Sequence, residues 1–246
     1  MTDAGDPARV FLDAFSDIEA YVRRATGADQ GERFATLVTQ LASRDRLVRE
    51  HQVSLQAFAS LRNAIQHSKY RSGRPIATPH PDVVQAITAV RDQLPRPPRI
   101  DSFVQGRGPV ETERPSTGVW QALRSMTERD FSQVLVYGDA GYVGLLTTNA
   151  VARWLASQVD ATGALMVEEA PVEEVLTSAE PHEVAKFVAR TATVTDVIDL
   201  LSGGSGGRLA PVAVVVTQNG KRAEKPLGIV VAHDLLDLLA CIAVAV

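Results

Sequence analysis

Apolar residues recur at helical spacing through the first third of the chain. Phe11, Phe15, Ile18 and Val22 form the first stripe, and Thr26-Gly27 provides its stop signal. Three more stripes follow at the same spacing, and they run from Phe34 to Val48, from Leu55 to Ile65 and from Val83 to Val90. Four amphipathic helices joined by short loops predict an all-α antiparallel bundle over residues 1–94.

The pattern changes at a proline-rich segment. Leu94-Pro95-Arg96-Pro97-Pro98-Arg99 cannot continue a helix, which predicts a stiff linker over residues 95–100. Beyond it, short apolar runs typical of strands alternate with helical stripes. The predicted fold class is therefore α+β multidomain, in which the helical bundle precedes two α/β modules at residues 101–160 and 161–246.

The two modules are predicted from an internal repeat. Val143-Gly144-Leu145-Leu146-Thr147-Thr148-Asn149-Ala150 matches Leu227-Gly228-Ile229-Val230-Val231-Ala232-His233-Asp234, and a helix stripe and a buried strand precede both copies. Each copy has a glycine at its second position, which we interpret as shaping a turn. The copies differ at their polar positions, because the first keeps Thr147 without a carboxylate and the second keeps Asp234 without a threonine.

Composition narrows the classes of function. The 246-residue chain carries a net charge of −4 with a pI near 5.8, which argues against a strongly basic nucleic-acid-binding protein. Its lone Cys241 excludes an intramolecular disulfide and favours a reducing, cytoplasmic location. The longest apolar stretch, residues 235–246, is too short to span a bilayer, so no membrane partner is expected. The histidines lack the spacing of metal ligands, so no metal site is expected either.

The repeated segments resemble the closing motif of the CBS (cystathionine β-synthase-type) domain, and two in tandem resemble a CBS pair. Pro171-Val172-Glu173-Glu174-Val175-Leu176 also resembles the short helix that precedes such a module. The resemblance, which covers about residues 101–246, implies an AMP- or ATP-like adenine nucleotide as regulatory ligand between the modules, with no cofactor required. It also implies that Asp234 hydrogen-bonds the ribose hydroxyls and that Thr147 lies near the phosphate.

Asp234 has two interpretations that the sequence leaves open. A carboxylate at a helix start can accept hydrogen bonds from two vicinal hydroxyls, but aspartate at that position also commonly caps the helix. Thr191 and Thr193, which precede the helix stripe of the second module, are further candidates for lining the same cleft.

The N-terminal half resembles a second family. Leu61-Arg62-Asn63-Ala64-Ile65-Gln66-His67, followed by a basic stretch, is similar to the hallmark of the HEPN domain, a small helical bundle. Arg62, Asn63 and His67 match that hallmark. The resemblance implies a metal-independent endoribonuclease that acts as a homodimer with both motifs in one cleft, although other members of the family have non-catalytic roles.

The residue types fit this chemistry. RNA is cleaved by its own 2′-hydroxyl when a base with a pKa near neutrality removes the proton and a cation stabilises the phosphorane. On a helix of about 100° per residue, Arg62 points about 140° away from His67, so a site shared by two subunits is the simplest arrangement. The basic stretch offers Lys69, Tyr70, Arg71 and Arg74 to an RNA strand, or it is only a solvated loop.

Two functions therefore compete. In the first, a CBS pair senses an adenine nucleotide and controls an HEPN-like bundle that is a candidate ribonuclease. In the second, the bundle has no enzymatic activity and only dimerises or binds a partner, beside a regulatory or degenerate CBS pair.

Overall fold

A computed structural model of the chain describes residues 6–29, 31–67, 76–164, 168–203 and 209–244, with only the backbone of His67. The chain divides into two compact units, of which the first comprises residues 1–98 with 237–246 and the second comprises residues 99–236. The described part of residues 1–98 is helical: α1 (Pro7–Thr26), α2 (Phe34–Ala42), α3 (Arg46–Glu50), α4 (Gln52–His67) and α5 (Pro81–Gln93). Within the described ranges, no helix is long and apolar enough to cross a lipid bilayer.

The ends of α1 follow from its sequence. Asp6 caps the helix, because its carboxylate accepts a hydrogen bond from the backbone N–H of Ala8 at 3.1 Å, and Pro7 occupies the first turn. Gly27 ends it in the left-handed conformation, with φ of 70°. The predicted stop at Thr26-Gly27 is confirmed.

The second predicted helix is two helices. The stripe from Phe34 to Val48 is interrupted after Ala42, and α3 begins at Arg46. Asp45 causes the restart, because its carboxylate accepts a hydrogen bond from the backbone N–H of Val48 at 3.1 Å and so caps the new helix.

The core of the first unit forms around α1, which packs against α2, α4 and α5. Phe11 meets Phe58 of α4 edge-to-face, with ring centres 6.1 Å apart. His51, between α3 and α4, is buried and lies 3.3 Å from the side-chain oxygen of Gln93. Burial lowers the pKa of His51, although the contact with Gln93 opposes this shift.

The second unit repeats one order of elements, as the sequence predicts. The first copy contains α6 (Ile100–Val104), β1 (Thr112–Glu113), α7 (Val119–Glu128), β2 (Gln133–Gly138), β3 (Gly141–Thr147) and α8 (Thr148–Ser157). The second contains α9 (Val172–Val175), β4 (Ala185–Ala189), α10 (Val194–Leu201), β5 (Ala213–Thr217), β6 (Gly228–Val231) and a 3₁₀ turn, Ala232–Asp234. The turn leads into α11 (Leu235–Ile242), whose residues from Asp237 onward belong to the first unit. The α+β class is thereby confirmed.

Each copy builds the same three-stranded sheet. In the orders β1-β2-β3 and β4-β5-β6, the first two strands are parallel and the last two are antiparallel. The registers correspond, since Val134 lies opposite Leu146 in one sheet and Val214 opposite Val230 in the other. The central strands are buried runs of valine and leucine, which is typical of strands covered on both faces.

The two copies exchange their lead-in helices, α6 and α9. α9 precedes the second sheet but packs on the first module, where its Val172 and Val175 are fully buried in the cluster around Val119. Two backbone hydrogen bonds fix this contact, from Val172 N to Thr117 O at 2.9 Å and from Val119 N to Ala170 O at 2.8 Å.

The exchange is reciprocal. α6 precedes the first sheet but packs against β6 and α10 of the second module. Its first residue, Ile100, donates a backbone hydrogen bond to Ala192 O at 2.8 Å, and Arg99 forms an antiparallel bridge with Thr193. The lead-in helix of each module is therefore part of the core of the other.

The repeated glycines serve this exchange rather than a turn. Gly144 lies inside β3 and Gly228 begins β6, and neither has a positive φ. A Cβ on Gly144 would lie 2.6 Å from a terminal methyl of Leu176, and one on Gly228 would lie 2.5 Å from the Cβ of Val104. Our interpretation of them as turn residues is wrong, because each provides the space for the segment that the other module supplies.

The two glycines predict unequal effects of substitution. Gly228→Ala meets the stem of Val104, which cannot move without its helix, whereas Gly144→Ala meets only the flexible end of Leu176. We expect Gly228→Ala to lower the free energy of unfolding by about 2–3 kcal/mol and Gly144→Ala by about 1 kcal/mol. Urea unfolding followed by tryptophan fluorescence measures this, since both tryptophans, Trp120 and Trp154, lie in the second unit.

Gly138→Ala in β2 is the matched control for these variants. A Cβ there makes only ordinary contacts, at 3.4 Å and beyond, so its effect should stay within a few tenths of a kcal/mol. Equal losses in all three variants would contradict a close-approach role for Gly228.

Candidate functional site

A cleft of about 760 Å³ opens between the two modules. Three segments line it: residues 104–111 at and after α6, residues 130–135 at the start of β2, and residues 228–234 at β6 and the turn after it. We call it the Asp234 cleft. Its volume lies in the range of small-molecule sites in proteins, about 300–1,000 Å³.

Asp234 reaches this cleft from the end of the second repeated motif. Its side chain is only 12% exposed, and one carboxylate oxygen accepts a hydrogen bond from the backbone N–H of Val231 at 2.8 Å. This bond holds the start of the turn that leads into α11, as the capping interpretation expects. The second oxygen faces Arg107.

Arg107 pairs with Asp234, a contact that local sequence patterns do not indicate. Its Nη1 donates a hydrogen bond to Asp234 Oδ1 at 2.6 Å, although the two residues are 127 positions apart. The guanidinium also lies over the ring of Phe103, 4.0 Å from its centre, which is a cation–π contact. The exchange of α6 onto the second module is what brings Arg107 to the carboxylate.

The rest of the Asp234 cleft is mainly apolar. Valine, proline and isoleucine side chains form its wall, and Phe131 at its rim keeps 43% of its surface exposed. Glu111 also lines it and pairs with Arg129 at 3.6 Å across the partly exposed rim. A flat aromatic base would find apolar and aromatic surface here beside a charged pair.

The corresponding cleft of the first motif is smaller, about 300 Å³. Thr147, the candidate phosphate-side residue, is buried next to it and caps α8, because its hydroxyl oxygen accepts a hydrogen bond from Ala150 N at 2.9 Å. The same hydroxyl donates a hydrogen bond to Glu183 Oε1 at 2.6 Å. We call this cleft, lined in part by Gly144, Leu176 and Glu183, the Thr147 cleft.

Glu183 lines the Thr147 cleft, and both of its carboxylate oxygens are engaged. The residue is only 3% exposed, and its Oε2 accepts a hydrogen bond from Glu180 N at 2.8 Å and contacts the guanidinium of Arg153. Arg153 is held in turn by the backbone oxygen of Ser178, at 2.8 Å from its Nε. Glu183 thus engages both the Thr147 hydroxyl and the Arg153 guanidinium, while Arg222, which also lines the cleft, lies near the ring of Tyr142.

The other predicted ligand residues lie elsewhere. Thr193 caps α10, since its hydroxyl accepts a hydrogen bond from Asp196 N at 3.1 Å while Asp196 accepts one from Thr193 N at 2.9 Å. Thr191 is exposed. Neither is among the described residues that line the Asp234 cleft, so the structure does not bring them together with Asp234.

The N-terminal candidates lie in the first unit. Arg62 Nη1 donates a hydrogen bond to the side-chain oxygen of Asn63 at 3.1 Å, and both residues line a cleft of about 710 Å³ near Phe15 and Arg33. The side chain of His67 and the residues Lys69, Tyr70, Arg71 and Arg74 lie outside the part of the chain that the structure describes.

Two partly buried tyrosines of the second unit have raised pKa values. Burial raises the pKa of Tyr137 to about 12 and also raises that of Tyr142, so both phenols are neutral at physiological pH. The two rings pack edge-to-face between the sheets, with centres 5.8 Å apart. Among the described residues, no group of three His, Cys, Asp or Glu side chains is arranged to hold a metal ion.

Comparison with known proteins identifies the first module. The CBS domain family matches residues 107–157, so the chain contains a CBS domain, and the second module repeats the same order of strands and helices. Comparison with curated protein sequences gives no significant match.

Solved CBS proteins resemble the chain over its C-terminal part. CBSX2, solved in complex with AMP, is 17% identical over 57% of this chain and 94% of its own, with a TM-score of 0.41. The CBS domain pair of protein MJ0100, solved with 5′-methylthioadenosine and S-adenosyl-L-methionine, is 14% identical over 58% and 97%, with a TM-score of 0.42. The CBS-domain containing protein ATU1752 from Agrobacterium tumefaciens is 18% identical over 57% and 92%, with a TM-score of 0.40.

Because Glu183 binds both Thr147 and Arg153, we expect its side chain to stabilise the second unit. Glu183→Ala leaves the Thr147 hydroxyl and the Arg153 guanidinium without their carboxylate partner, and we expect a loss of about 2–3 kcal/mol in the free energy of unfolding. Urea unfolding followed by tryptophan fluorescence is the measurement. Glu180→Ala is the control, because its carboxylate lies 3.6 Å from Arg153 and is half-exposed, and it should lose less than about 1 kcal/mol. If both variants lost the same amount, Glu183 would be an ordinary surface partner.

Proposed function

We propose that the second unit is a regulatory module that binds an adenine nucleotide in the Asp234 cleft. The observation that carries the proposal is the nearly buried carboxylate of Asp234 in a cleft of about 760 Å³ between two CBS-like modules. A carboxylate oxygen can accept more than one hydrogen bond, so ribose hydroxyls are suitable further donors to Asp234 beside Arg107 and Val231 N.

The proposed pose assigns one part of the ligand to each surface of the cleft. The adenine ring lies on the apolar wall and stacks at the rim against Phe131, whose exposed ring would lose water contact on binding. The ribose hydroxyls donate to Asp234. Thr191 and Thr193 play no part in this pose, and Thr147 belongs to the other cleft.

We further propose one ligand for each chain. The Thr147 cleft has less than half the volume of the Asp234 cleft, and its lining includes Glu183, whose carboxylate is bound by Thr147. A carboxylate fixed at that position would repel a phosphate. The first repeated motif thus serves as scaffold, and the second supplies the ligand site.

Calorimetric titration of the full chain with AMP, ADP and ATP tests the proposal. We expect one binding site per chain and a loss of about 10- to 100-fold in affinity in Asp234→Ala, because hydrogen bonds to a charged carboxylate contribute about 1.5–3 kcal/mol. Asp139→Ala is the matched control, since that carboxylate is 95% exposed and should leave the affinity unchanged. Binding that survives Asp234→Ala would contradict the ribose assignment, and no binding of any nucleotide would favour a degenerate CBS pair.

A ribonuclease in the first unit is the second proposed function. The observation that favours it is the contact of Arg62 with Asn63 at the edge of a cleft of about 710 Å³, which is large enough for a nucleotide. In this proposal a homodimer shares the cleft, His67 acts as the base, and nucleotide binding to the second unit regulates cleavage. The competing proposal is a bundle that only dimerises or binds a partner.

Digestion of single-stranded RNA in the presence of EDTA separates these alternatives. A ribonuclease should lose at least about 100-fold in rate in both His67→Ala and Arg62→Ala, since each contributes to proton transfer or charge stabilisation. His80→Ala is the control, because its side chain makes no capping hydrogen bond at the start of α5. No cleavage, or cleavage that is equal in wild type and His67→Ala, would leave the non-enzymatic role, and sedimentation analysis would then test for the dimer.

A further inference from the structure

The first unit holds a second cleft, of about 460 Å³, where α1 packs against α5. Its volume lies in the lower part of the range for small-molecule sites, about 300–1,000 Å³. It shares no lining residue with the cleft near Arg62 or with the two clefts of the second unit described above. The charged and aromatic residues that line it are Asp17, Tyr21 and Arg24 of α1, Arg91 and Asp92 of α5, and Arg96 just after α5. We call it the Arg24 cleft.

The two aspartates of the Arg24 cleft both act on Arg91. The carboxylate of Asp92 accepts a hydrogen bond from Arg91 Nε at 2.8 Å, and the same oxygen lies 2.8 Å from Arg91 Nη2. This hydrogen bond, together with the charge of Asp17, raises the pKa of Arg91. One cation of the cleft is therefore matched by carboxylates of the protein.

Arg24 and Arg96 are the cations that remain. Both residues are exposed, and in the described part of the chain neither side chain forms a hydrogen bond or an ion pair. Arg96 acts on Asp92 through its charge, which adds to the hydrogen bond from Arg91 in lowering the pKa of that carboxyl. Three guanidinium groups line the cleft against two carboxylates, so its charge balance is positive.

Arg24 is not needed to complete the end of α1. A cation in the last turn of a helix commonly interacts with the terminal carbonyl oxygens. In this helix, Arg44 Nη2 donates to Ala25 O at 2.5 Å, and Thr26 Oγ1 donates to Val22 O at 2.9 Å. Because other donors engage these carbonyl oxygens, the guanidinium of Arg24 can serve a partner from solution.

Tyr21 adds an aromatic wall to the Arg24 cleft. The residue is partly buried, and burial, together with the charge of Asp45, raises the pKa of its phenol. The phenol is therefore neutral at physiological pH and adds no negative charge beside the arginines. Its ring offers a packing surface to a flat group, and the volume of the cleft leaves room for one.

We propose that the Arg24 cleft binds the phosphate monoester of a small aromatic compound. Arg24 and Arg96 hold the phosphate, because a planar guanidinium donates paired N–H groups to phosphate oxygens. A phosphate monoester carries about 1.5–2 negative charges at neutral pH, which suits two cations better than the single charge of a carboxylate does. The aromatic group packs against Tyr21. This site is independent of both functions proposed above, since its residues belong to neither of those clefts.

Titration calorimetry of the full chain with phenyl phosphate tests this site. We expect Arg24→Gln and Arg96→Gln each to weaken binding about 3- to 10-fold, because each removes one exposed charged contact with the phosphate. The double variant should lose about 10-fold or more. Arg9→Gln is the matched control, since Arg9 is an exposed arginine of α1 that does not line the cleft, and it should leave the affinity unchanged.

Two further variants separate ligand binding from a structural role of the arginines. Asp92→Asn removes a negative charge from the cleft, while its amide oxygen still accepts a hydrogen bond from Arg91, and it should tighten phenyl phosphate binding about 2- to 5-fold. Tyr21→Leu should weaken phenyl phosphate binding about 3- to 10-fold and leave the affinity for inorganic phosphate unchanged, since only the ring contact is lost.

Each result supports or contradicts a defined part of the proposal. No binding of phenyl phosphate to wild type, or equal binding to wild type and to the double variant of Arg24 and Arg96, overturns the site. Weaker binding in Asp92→Asn also contradicts it, because that carboxylate would then help to hold the ligand. If Tyr21→Leu binds phenyl phosphate as tightly as wild type does, the assignment of the aromatic group is wrong.

Discussion

The exchange of lead-in helices is the contact on which the rest of the second unit depends. Each module presents an apolar face that is covered by the helix preceding the other module, so Val172 and Val175 complete one core and Ile100 and Val104 complete the other. The strand glycines allow these helices to approach closely. The same exchange builds the cleft, because Arg107 follows α6 directly and arrives beside Asp234 only when α6 packs on the second module.

Both clefts of the second unit contain an ion pair between a carboxylate and an arginine, but the segments that supply the two charges are exchanged. In the Asp234 cleft, the cation comes from the segment after the lead-in helix and the carboxylate comes from the repeated motif. In the Thr147 cleft, Glu183 supplies the carboxylate from the segment after the lead-in helix, and Arg153 supplies the cation from the helix after the motif. Ala150, which replaces aspartate in the first motif, is therefore accompanied by a reversed ion pair. The carboxylate of that pair is more deeply buried than the carboxylate of Asp234.

Local periodicity was sufficient to predict most of the fold. The stop at Gly27 and the repeated order of helices and strands depend mainly on neighbouring residues, which sequence patterns report well. The break before α3 was missed because a single capping side chain, Asp45, outweighs an otherwise continuous apolar stripe. The antiparallel arrangement of the N-terminal helices and their HEPN-like character stay predictions.

The site was predictable only in part, since its decisive contacts join distant residues. Asp234 was identifiable from its place in the motif, but Arg107 lies 127 positions away and depends on the exchange of α6. Glu183 carried a signal that alignment of the two modules could have shown: Gly108-Pro109-Val110-Glu111 and Glu180-Pro181-His182-Glu183 share their proline and glutamate. The repetition of Gly144 and Gly228 is visible in the sequence, but their role is not, because close approach between distant segments leaves no mark in local sequence.

The exchange of α6 and α9 also determines where the second unit can be divided into fragments. A cut between α8 and α9 would separate Val172 and Val175 from the module whose core they fill, and it would leave α6 attached to a fragment that does not use it. Neither fragment would keep a complete hydrophobic core, although each contains a full sheet. The smallest segment that keeps both hydrophobic cores complete is therefore the pair of modules. A single repeat, although clear in the sequence, lacks the helix that covers its core.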